Sequence, residues 1–362
     1  MALPVISLSG TPFEQGLQHG QRLKARIEHN LAVYYERFKT EVFLERPEVL
    51  RRANLYAAAI KEQSPDYYAA MQGVAEGAAL SFEDIAALNV RYEILYYEFG
   101  VGDQRAGIDG CTSFAILPSR TANSHLMMGQ SWDWIPQVKG AVLQTEEADG
   151  LKTLSFTEAG IVGGKIGLNS AGVGLCINGL ASLMDDWTTL EKPFHVRCHD
   201  ILRQRRFEDA RAIILDHERP GSANFLIAQS PDNVINIESA PRVASVLEPQ
   251  NGAVTHTNHF ANPKSMGLAE IENEFWENSC KRRARMDEML ASKPTLGVDD
   301  LHTFLRDHAN YPNSVCRHED HAFGPEEHYI SVTSVLMDLD DKVMWLSDGP
   351  PCENPFERLE LS

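Results

Sequence analysis

No stretch of this chain approaches the roughly 18 apolar residues that a membrane-spanning helix needs. The opening Met1-Ala2-Leu3-Pro4-Val5 has no basic region ahead of a long apolar run, so no secretory leader is expected. Positive charge is scarce too: 33 Lys and Arg face 51 Asp and Glu, a formal net charge of -18. Without a local basic patch such an excess repels a nucleic-acid backbone or an anionic membrane, and neither is expected as a partner. The six cysteines (Cys111, Cys176, Cys198, Cys280, Cys316, Cys352) are scattered, which fits reduced thiols better than a disulfide framework. The ending Leu361-Ser362 is no peroxisomal signal. These absences leave a cytoplasmic protein as the expectation, and no internal repeat or low-complexity tract marks the chain.

What is present is enough chain, 362 residues, to bury a sizeable core. Residues 1–10 alternate as a short strand. Ser9-Gly10-Thr11-Pro12 then reads as a helix start, with Thr11 as cap and Pro12 first in the helix. Ile27, Leu31, Tyr34 and Phe38 recur at helical spacing, which predicts a helix over 12–39, with others over 48–63 and 65–79. Ser81-Phe82-Glu83-Asp84 has the form of a capping box before Ile85, Leu88 and Tyr92. After Cys111 the period changes to that of strands, over 114–117, 126–129, 142–145, 153–156, 161–166 and 173–177. Six short strands in so few residues imply an antiparallel meander. Helices over 193–206 and 208–217 follow, then strands over 224–228, 233–238 and 253–256. Helices over 266–291 and 298–307 lead to a closing hairpin of 329–337 and 342–346. Elements in blocks of one type point to α+β layering.

The candidate chemistry centres on Asp109-Gly110-Cys111-Thr112-Ser113. Cys111 would sit at the head of a strand, after a turn-like stretch holding Gly102, Asp103, Gly107 and Asp109. A glycine before it lets a neighbouring group approach the Gly110 carbonyl, and the site could cut itself. The thiol attacks that carbonyl, an N-to-S acyl shift follows, and water releases a new N-terminal Cys111. The freed α-amine, with an ordinary pKa of about 7.7–8.0, could then activate the thiol. The plainer reading is a buried, inert cysteine.

Gln130-Ser131-Trp132-Asp133-Trp134 would return beside Cys111 in a hairpin, where the Asp133 carboxylate either holds an ammonium or caps a turn. Asn178 and Asn258, at strand ends, are candidate oxyanion donors or turn formers. His256 with His259, His318 with His321, and His195 with Cys198 and His199 could suggest metal. None has trustworthy zinc spacing, so no metal is expected. Gly163-Gly164-Lys165-Ile166 lacks the hydroxyl residue of a phosphate loop.

Asp109-Gly110-Cys111-Thr112 followed by Gly129-Gln130-Ser131-Trp132-Asp133 resembles the self-processing acyl-CoA:6-aminopenicillanic acid (isopenicillin N) acyltransferases. These form peptidase family C45 of the N-terminal nucleophile (Ntn) hydrolases. Further blocks carry the resemblance along the chain: Ser9-Gly10-Thr11-Pro12-Phe13-Glu14 with Gly16, His19 and Gly20, and Thr157-Glu158-Ala159-Gly160-Ile161 with Gly167-Leu168-Asn169-Ser170-Ala171-Gly172. His256-Thr257-Asn258-His259 and Asn310-Tyr311-Pro312-Asn313-Ser314-Val315-Cys316-Arg317 complete it.

The resemblance implies a four-layer αββα Ntn-hydrolase sandwich with a mainly helical N-terminal segment. It implies cleavage between Gly110 and Cys111, giving a heterodimer of a helical α chain (1–110) and a β chain (111–362). Cys111 is then the nucleophile, Asp133 a positioning acid and Asn258 the oxyanion donor, with Asn178 carried over from the bile-salt-hydrolase branch. Thr112 and Ser113 stand beside them as oxyanion or substrate-binding candidates. A family basic residue falls near His328, with Arg317 the nearby arginine. The expected reaction is hydrolysis of a small N-acyl amine or N-acyl amino acid through a thioester, with no cofactor. Acyl-CoA-dependent N-acyl transfer, with acyl-CoA as co-substrate, is the close alternative. A catalytically silent Ntn-fold binding protein and a zinc hydrolase are the others.

Overall fold

The computed structural model describes residues 3–101, 110–269, 274–324 and 328–361. The expected turn through Gly102, Asp103, Gly107 and Asp109 lies outside them, as do Glu326 and Glu327.

Strand β1 (Val5–Ser9) runs into helix α1 (Pro12–Glu41) through a reciprocal cap. The Glu14 N–H donates to Thr11 Oγ1 at 3.3 Å, and the Thr11 N–H donates to the Glu14 carboxylate at 2.8 Å. Helices α2 (Arg46–Gln63), α3 (Pro65–Ala78), α4 (Phe82–Asn89) and α5 (Arg91–Val101) follow. Gly16 and Gly20 of α1 face Gly73 and Gly77 of α3, and a Cβ at any of them would run into the facing backbone. That contact needs residues without side chains, which accounts for two glycines of the opening block.

The rest of the chain alternates strand and helix groups. First come β2 (Thr112–Ile116), β3 (Met127–Trp134), β4 (Gly140–Glu146), β5 (Lys152–Glu158), β6 (Ile166–Asn169) and β7 (Val173–Gly179). Then come α6 (Phe194–Leu202), α7 (Phe207–Leu215), β8 (Ala223–Gln229), β9 (Asn233–Ala240), β10 (Val243–Leu247) and β11 (Ala253–His256). Last are α8 (Glu274–Ala291), α9 (Val298–Leu305), β12 (Ile330–Asp338), β13 (Val343–Leu346) and β14 (Glu357–Glu360).

Two sheets result, ordered β1-β4-β5-β6-β7-β8-β9-β10 and β11-β2-β3-β12-β13-β14. They face each other. Gln130 of β3 bonds both main-chain groups of Ile177 on β7, accepting its N–H at 2.8 Å, and Ser113 Oγ of β2 donates to Asn178 Oδ1 at 2.7 Å. Helices α6 and α7 cover the eight-stranded sheet. On the other side Met286, Met289 and Leu290 of α8, with Leu301, Phe304 and Leu305 of α9, pack on Phe114, Ile116, Met127 and Leu336. The architecture is the expected α+β αββα sandwich with a helical N-terminal segment. Among the described residues no helix is long and apolar enough to cross a membrane.

Four local expectations differ from the structure. The meander is real for β4 to β7, but β2 and β3 belong to the other sheet, so the early strands build two layers. The strand expected over 161–166 is Ile166–Asn169, because Gly160 (φ 99°) and Gly163 (φ 68°) turn the chain first. The helix expected from 266 starts, in the described residues, at Glu274. Pro263–Met266 is a single 3-10 turn closed by Gly267 in the left-handed region, and 270–273 lie outside the described residues. Tyr92 belongs to a second helix, since the chain leaves helical geometry at Val90. The edge strands β10 and β14 are not among the expected elements: β14 has one apolar residue in four, and β10 is a five-residue run, Val243-Ala244-Ser245-Val246-Leu247, of partly exposed and exposed residues.

Candidate active site

Alternation along β2 sorts its side chains. Phe114 and Ile116 lie under α8 and α9, whereas Ser113 faces β7. Cys111, of the same parity as Ser113, is fully buried in the main core. Its Sγ lies 4.0 Å from the Asp133 main-chain oxygen. The β2–β3 register pairs Thr112 with Ser131, and extending it by two residues sets Asp133 opposite Gly110. Sequence reasoning expected this return of the hairpin, and the structure brings the two together.

Gly110 has no room for a side chain. A Cβ there would overlap Arg317 Nη1 and come within 2.9 Å of Asp133 Oδ2. Ser331 of β12 ties these two residues together, donating its hydroxyl to Asp133 Oδ1 at 2.7 Å and accepting the Arg317 N–H at 2.9 Å. The Arg317 guanidinium is buried over the Tyr329 ring, 5.5 Å from its centroid. The residue before Cys111 therefore sits beside both a cation and a carboxylate, with room only for glycine.

Arg282, on α8, is the residue that sequence reasoning missed. It lies in Lys281-Arg282-Arg283, which reads as a solvated helix face, yet it is 2% exposed. Its Nη1 donates to the Cys111 carbonyl at 2.6 Å and to Thr112 Oγ1 at 3.1 Å, and its Nη2 donates to Asn258 Oδ1 at 3.0 Å. The Arg282 Nε donates to Asn278 Oδ1 at 2.9 Å. One guanidinium fork thus holds the main chain of Cys111 and the amide of Asn258. Asn258 Nδ2 in turn donates to the Gly179 carbonyl at 3.1 Å. Asn178 is also buried, its Oδ1 accepting from Ser113 and Asn224. Among the described residues its Nδ2 has no partner.

Below Cys111, Trp132 and Trp134 of β3 roof a buried charge cluster. The Lys165 ammonium sits 3.2 Å from the Trp132 ring centroid, and the Arg91 guanidinium 4.9 Å from that of Trp134. Both bond the Glu158 carboxylate, as does Tyr34, whose hydroxyl accepts the Trp134 indole N–H at 2.7 Å. Burial would raise the Glu158 pKa, but Arg91 and Lys165 hold it well below the ordinary carboxylate range. Burial depresses Lys165 to about 8, against the pull of Glu158 and with the repulsion of Arg91, and Lys165 also feels the charge of Cys111. Two cations thus share one anion on this side of the thiol.

The remaining candidates lie elsewhere. The His328 side chain contacts Glu319 Oε2 at 3.6 Å and the Phe323 carbonyl at 3.3 Å, so Arg317, not His328, stands at Gly110. His256 pairs with Glu238 at 2.8 Å, and His195 with the Asn89 carbonyl at 3.1 Å; neither joins a converging metal-ligand group among the described residues. His19 accepts the Gly160 N–H at 3.0 Å, and burial pushes its pKa down to about 4, so it is a neutral structural acceptor.

Residues 119–351 match the family described as acyl-coenzyme A:6-aminopenicillanic acid acyl-transferase. The chain is 29% identical over 321 residues to the 40 kDa form of acyl-coenzyme A:6-aminopenicillanic-acid-acyltransferase of Emericella nidulans, covering 86% of this chain and 84% of the relative. Among solved structures, the Caenorhabditis elegans ortholog of N-acylethanolamine-hydrolyzing acid amidase is similar over 63% of this chain and 93% of its own, with 16% identity and a TM-score of 0.47. A conjugated bile acid hydrolase mutant from Clostridium perfringens is similar over 69% and 92%, with 11% identity and a TM-score of 0.48.

Proposed function

This chain belongs to the acyl-coenzyme A:6-aminopenicillanic acid acyl-transferase family, and from that membership we propose a self-activating N-terminal-cysteine amidohydrolase. Its substrates are small linear N-acyl amines or N-acyl amino acids. Cys111 Sγ attacks the Gly110 carbonyl carbon, and the peptide C–N bond breaks as the S–C bond forms. Water then splits that thioester, leaving a carboxylate on Gly110 and a free amine on Cys111. The amine, with an ordinary pKa of about 7.7–8.0, takes the thiol proton in turnover. The substrate acyl group passes to Sγ, its amine leaves, and water releases the acid.

One observation carries this reading: the Gly110–Cys111 junction is buried between Arg317 and Asp133 with no space for a Cβ. Asp133, beside Gly110, would hold the new ammonium once the bond is cut. Asn258, fixed by Arg282 to the Cys111 carbonyl, is the proposed oxyanion donor, with the Asn178 amide as the second candidate. Thr112 and Ser113 anchor the strand head through Arg282 and Asn178. The fragments 1–110 and 111–362 would stay together as a heterodimer. Asn30 bonds the Lys139 and Ala159 carbonyls, and Tyr34 and Arg91 bond Glu158, all across the cut.

The family's name favours one rival, acyl-CoA-dependent N-acyl transfer, in which an amine in place of water resolves the same thioester. Matched incubations separate the two, one with an N-acyl amide alone and one with an acyl-CoA and a free amine, each followed by mass analysis of Cys111. An acyl adduct and released amine from the amide alone support hydrolysis. An adduct formed only from acyl-CoA, with a new amide as product, supports transfer. No adduct on Cys111 in either arm argues against both and leaves a binding protein.

A further inference from the structure

Arg317 is flanked by two residues of metal-ligand type, Cys316 and His318, and the fold brings two more to meet them. His308 Nε2 lies 3.2 Å from His318 Nε2, and Cys316 Sγ lies 3.6 Å from both His318 Nε2 and Cys352 Sγ. Cys352 Sγ is 3.3 Å from His318 Nε2, and all four donor atoms fall within 4.8 Å of one another.

These separations can be set against a tetrahedron. With Zn–S near 2.3 Å and Zn–N near 2.0–2.1 Å, tetrahedral angles give edges of about 3.8 Å between sulfurs, about 3.5 Å between sulfur and nitrogen, and about 3.3 Å between nitrogens. The four separations given above lie within about 0.3 Å of those edges, and the remaining two, from His308 to each cysteine, are no longer than 4.8 Å. Two imidazole nitrogens facing each other across 3.2 Å need a shared proton or a cation between them. Behind the ring, Glu353 Oε1 lies 3.5 Å from His318 Nδ1, the position of a carboxylate that orients a ligating histidine. The loop is held as well: the Cys316 N–H donates to the Asp307 carbonyl at 3.0 Å, and Ser314 Oγ donates to the Cys316 carbonyl at 2.6 Å.

We propose that His308, Cys316, His318 and Cys352 bind a zinc ion as a closed structural site. Two thiols lose their protons on binding, so two thiolates balance the dication. All four positions are filled by protein, which leaves none for substrate and makes the site a clamp rather than a catalytic centre. It ties the loop 308–318 to the segment around Cys352 and fixes the backbone of Arg317, whose guanidinium presses on Gly110. The sequence reading expected no metal because it compared neighbours such as His318 and His321. The fold selects His308 and Cys352 instead, the latter 34 residues beyond His318.

The test is metal analysis of the untagged full-length chain after dialysis against zinc-free buffer, beside the variants Cys352→Ser and His308→Ala. The expected result is about one zinc per chain in the wild type and a several-fold loss in both variants. Cobalt(II) reconstitution of the wild type gives the intense visible bands and thiolate charge-transfer band of a tetrahedral sulfur-bound site. Either variant loses or shifts them. The proposal is overturned by a wild-type chain that holds less than about a tenth of an equivalent after incubation with zinc. A Cys316–Cys352 disulfide in the freshly isolated protein, or zinc content unchanged in both variants, overturns it too. The wild-type measurements decide the matter even if a variant does not fold, and none depends on the proposed reaction.

Discussion

Two buried polar clusters lie on either side of Trp132, and they are built on opposite rules. Around Glu158 one carboxylate gathers Arg91, Lys165 and Tyr34, and indole faces cover the cations. Around Cys111 the bonds hold main chain and amides instead: Arg282 bonds the Cys111 carbonyl and Asn258, and Ser331 links Asp133 to the Arg317 N–H beside Gly110. A carboxylate shared by two cations holds a structure in place; a thiol next to a buried peptide bond flanked by a carboxylate is an arrangement that can change its bonding. The Glu158 block of the family resemblance therefore reads as scaffold, and the Cys111 block as chemistry.

The largest way to break the comparison is Glu158→Gln. Removing the anion strands two buried cations, which costs about 3–5 kcal/mol. Denaturant unfolding should show that loss whether or not the chain has been cut. A loss under about 1 kcal/mol would mean that Glu158 does not hold this cluster together.

Arg282→Lys should come next. A lysine cannot span the Cys111 carbonyl, Thr112 and Asn258 together, and losing one charge-assisted bond of about 1.5–3 kcal/mol at the scission step implies slowing on the order of 10- to 100-fold. Time-resolved gel analysis of fresh protein reads this, with a folded circular-dichroism spectrum as control. Scission at the wild-type rate would remove Arg282 from the positioning role.

The smallest effect sharpens the contrast through Glu93, a buried carboxylate without such a bonded pair of cations. Burial, against the Phe194 N–H and the charges of Arg91 and Arg197, raises its pKa to about 7. The folded state therefore holds its proton more tightly than the unfolded state. Stability is full below the ordinary glutamate pKa and falls as pH rises from about 4.5 to about 7. Glu93→Gln removes this dependence, so the stability gap between variant and wild type should move in the variant's favour by up to about 1.4 kcal/mol per pH unit across that window. A gap that stays flat between pH 4.5 and 7 would contradict the assigned shift.

Much of this was legible in the chain. Thr11 and Pro12 announce the start of α1. The return of Asp133 beside Gly110 follows from two strands and a turn. What could not be read depended on contacts distant in sequence. Arg282 looks like one of several surface arginines until α8 is laid on β2. His308 and Cys352 become neighbours only when the last strands close the six-stranded sheet. The assignment of β2 and β3 to a separate sheet from β4 to β7 was likewise hidden, since alternation within a strand does not state its neighbours.

The most direct test of the central claim is the intact mass of purified wild-type protein beside Cys111→Ala. The account predicts two wild-type fragments that meet at residues 110 and 111, and a single uncut, inactive Cys111→Ala chain of 40.4 kDa. A Cys111→Ala chain that still splits and turns over amide, or a wild-type chain that stays whole through long incubation, would contradict it.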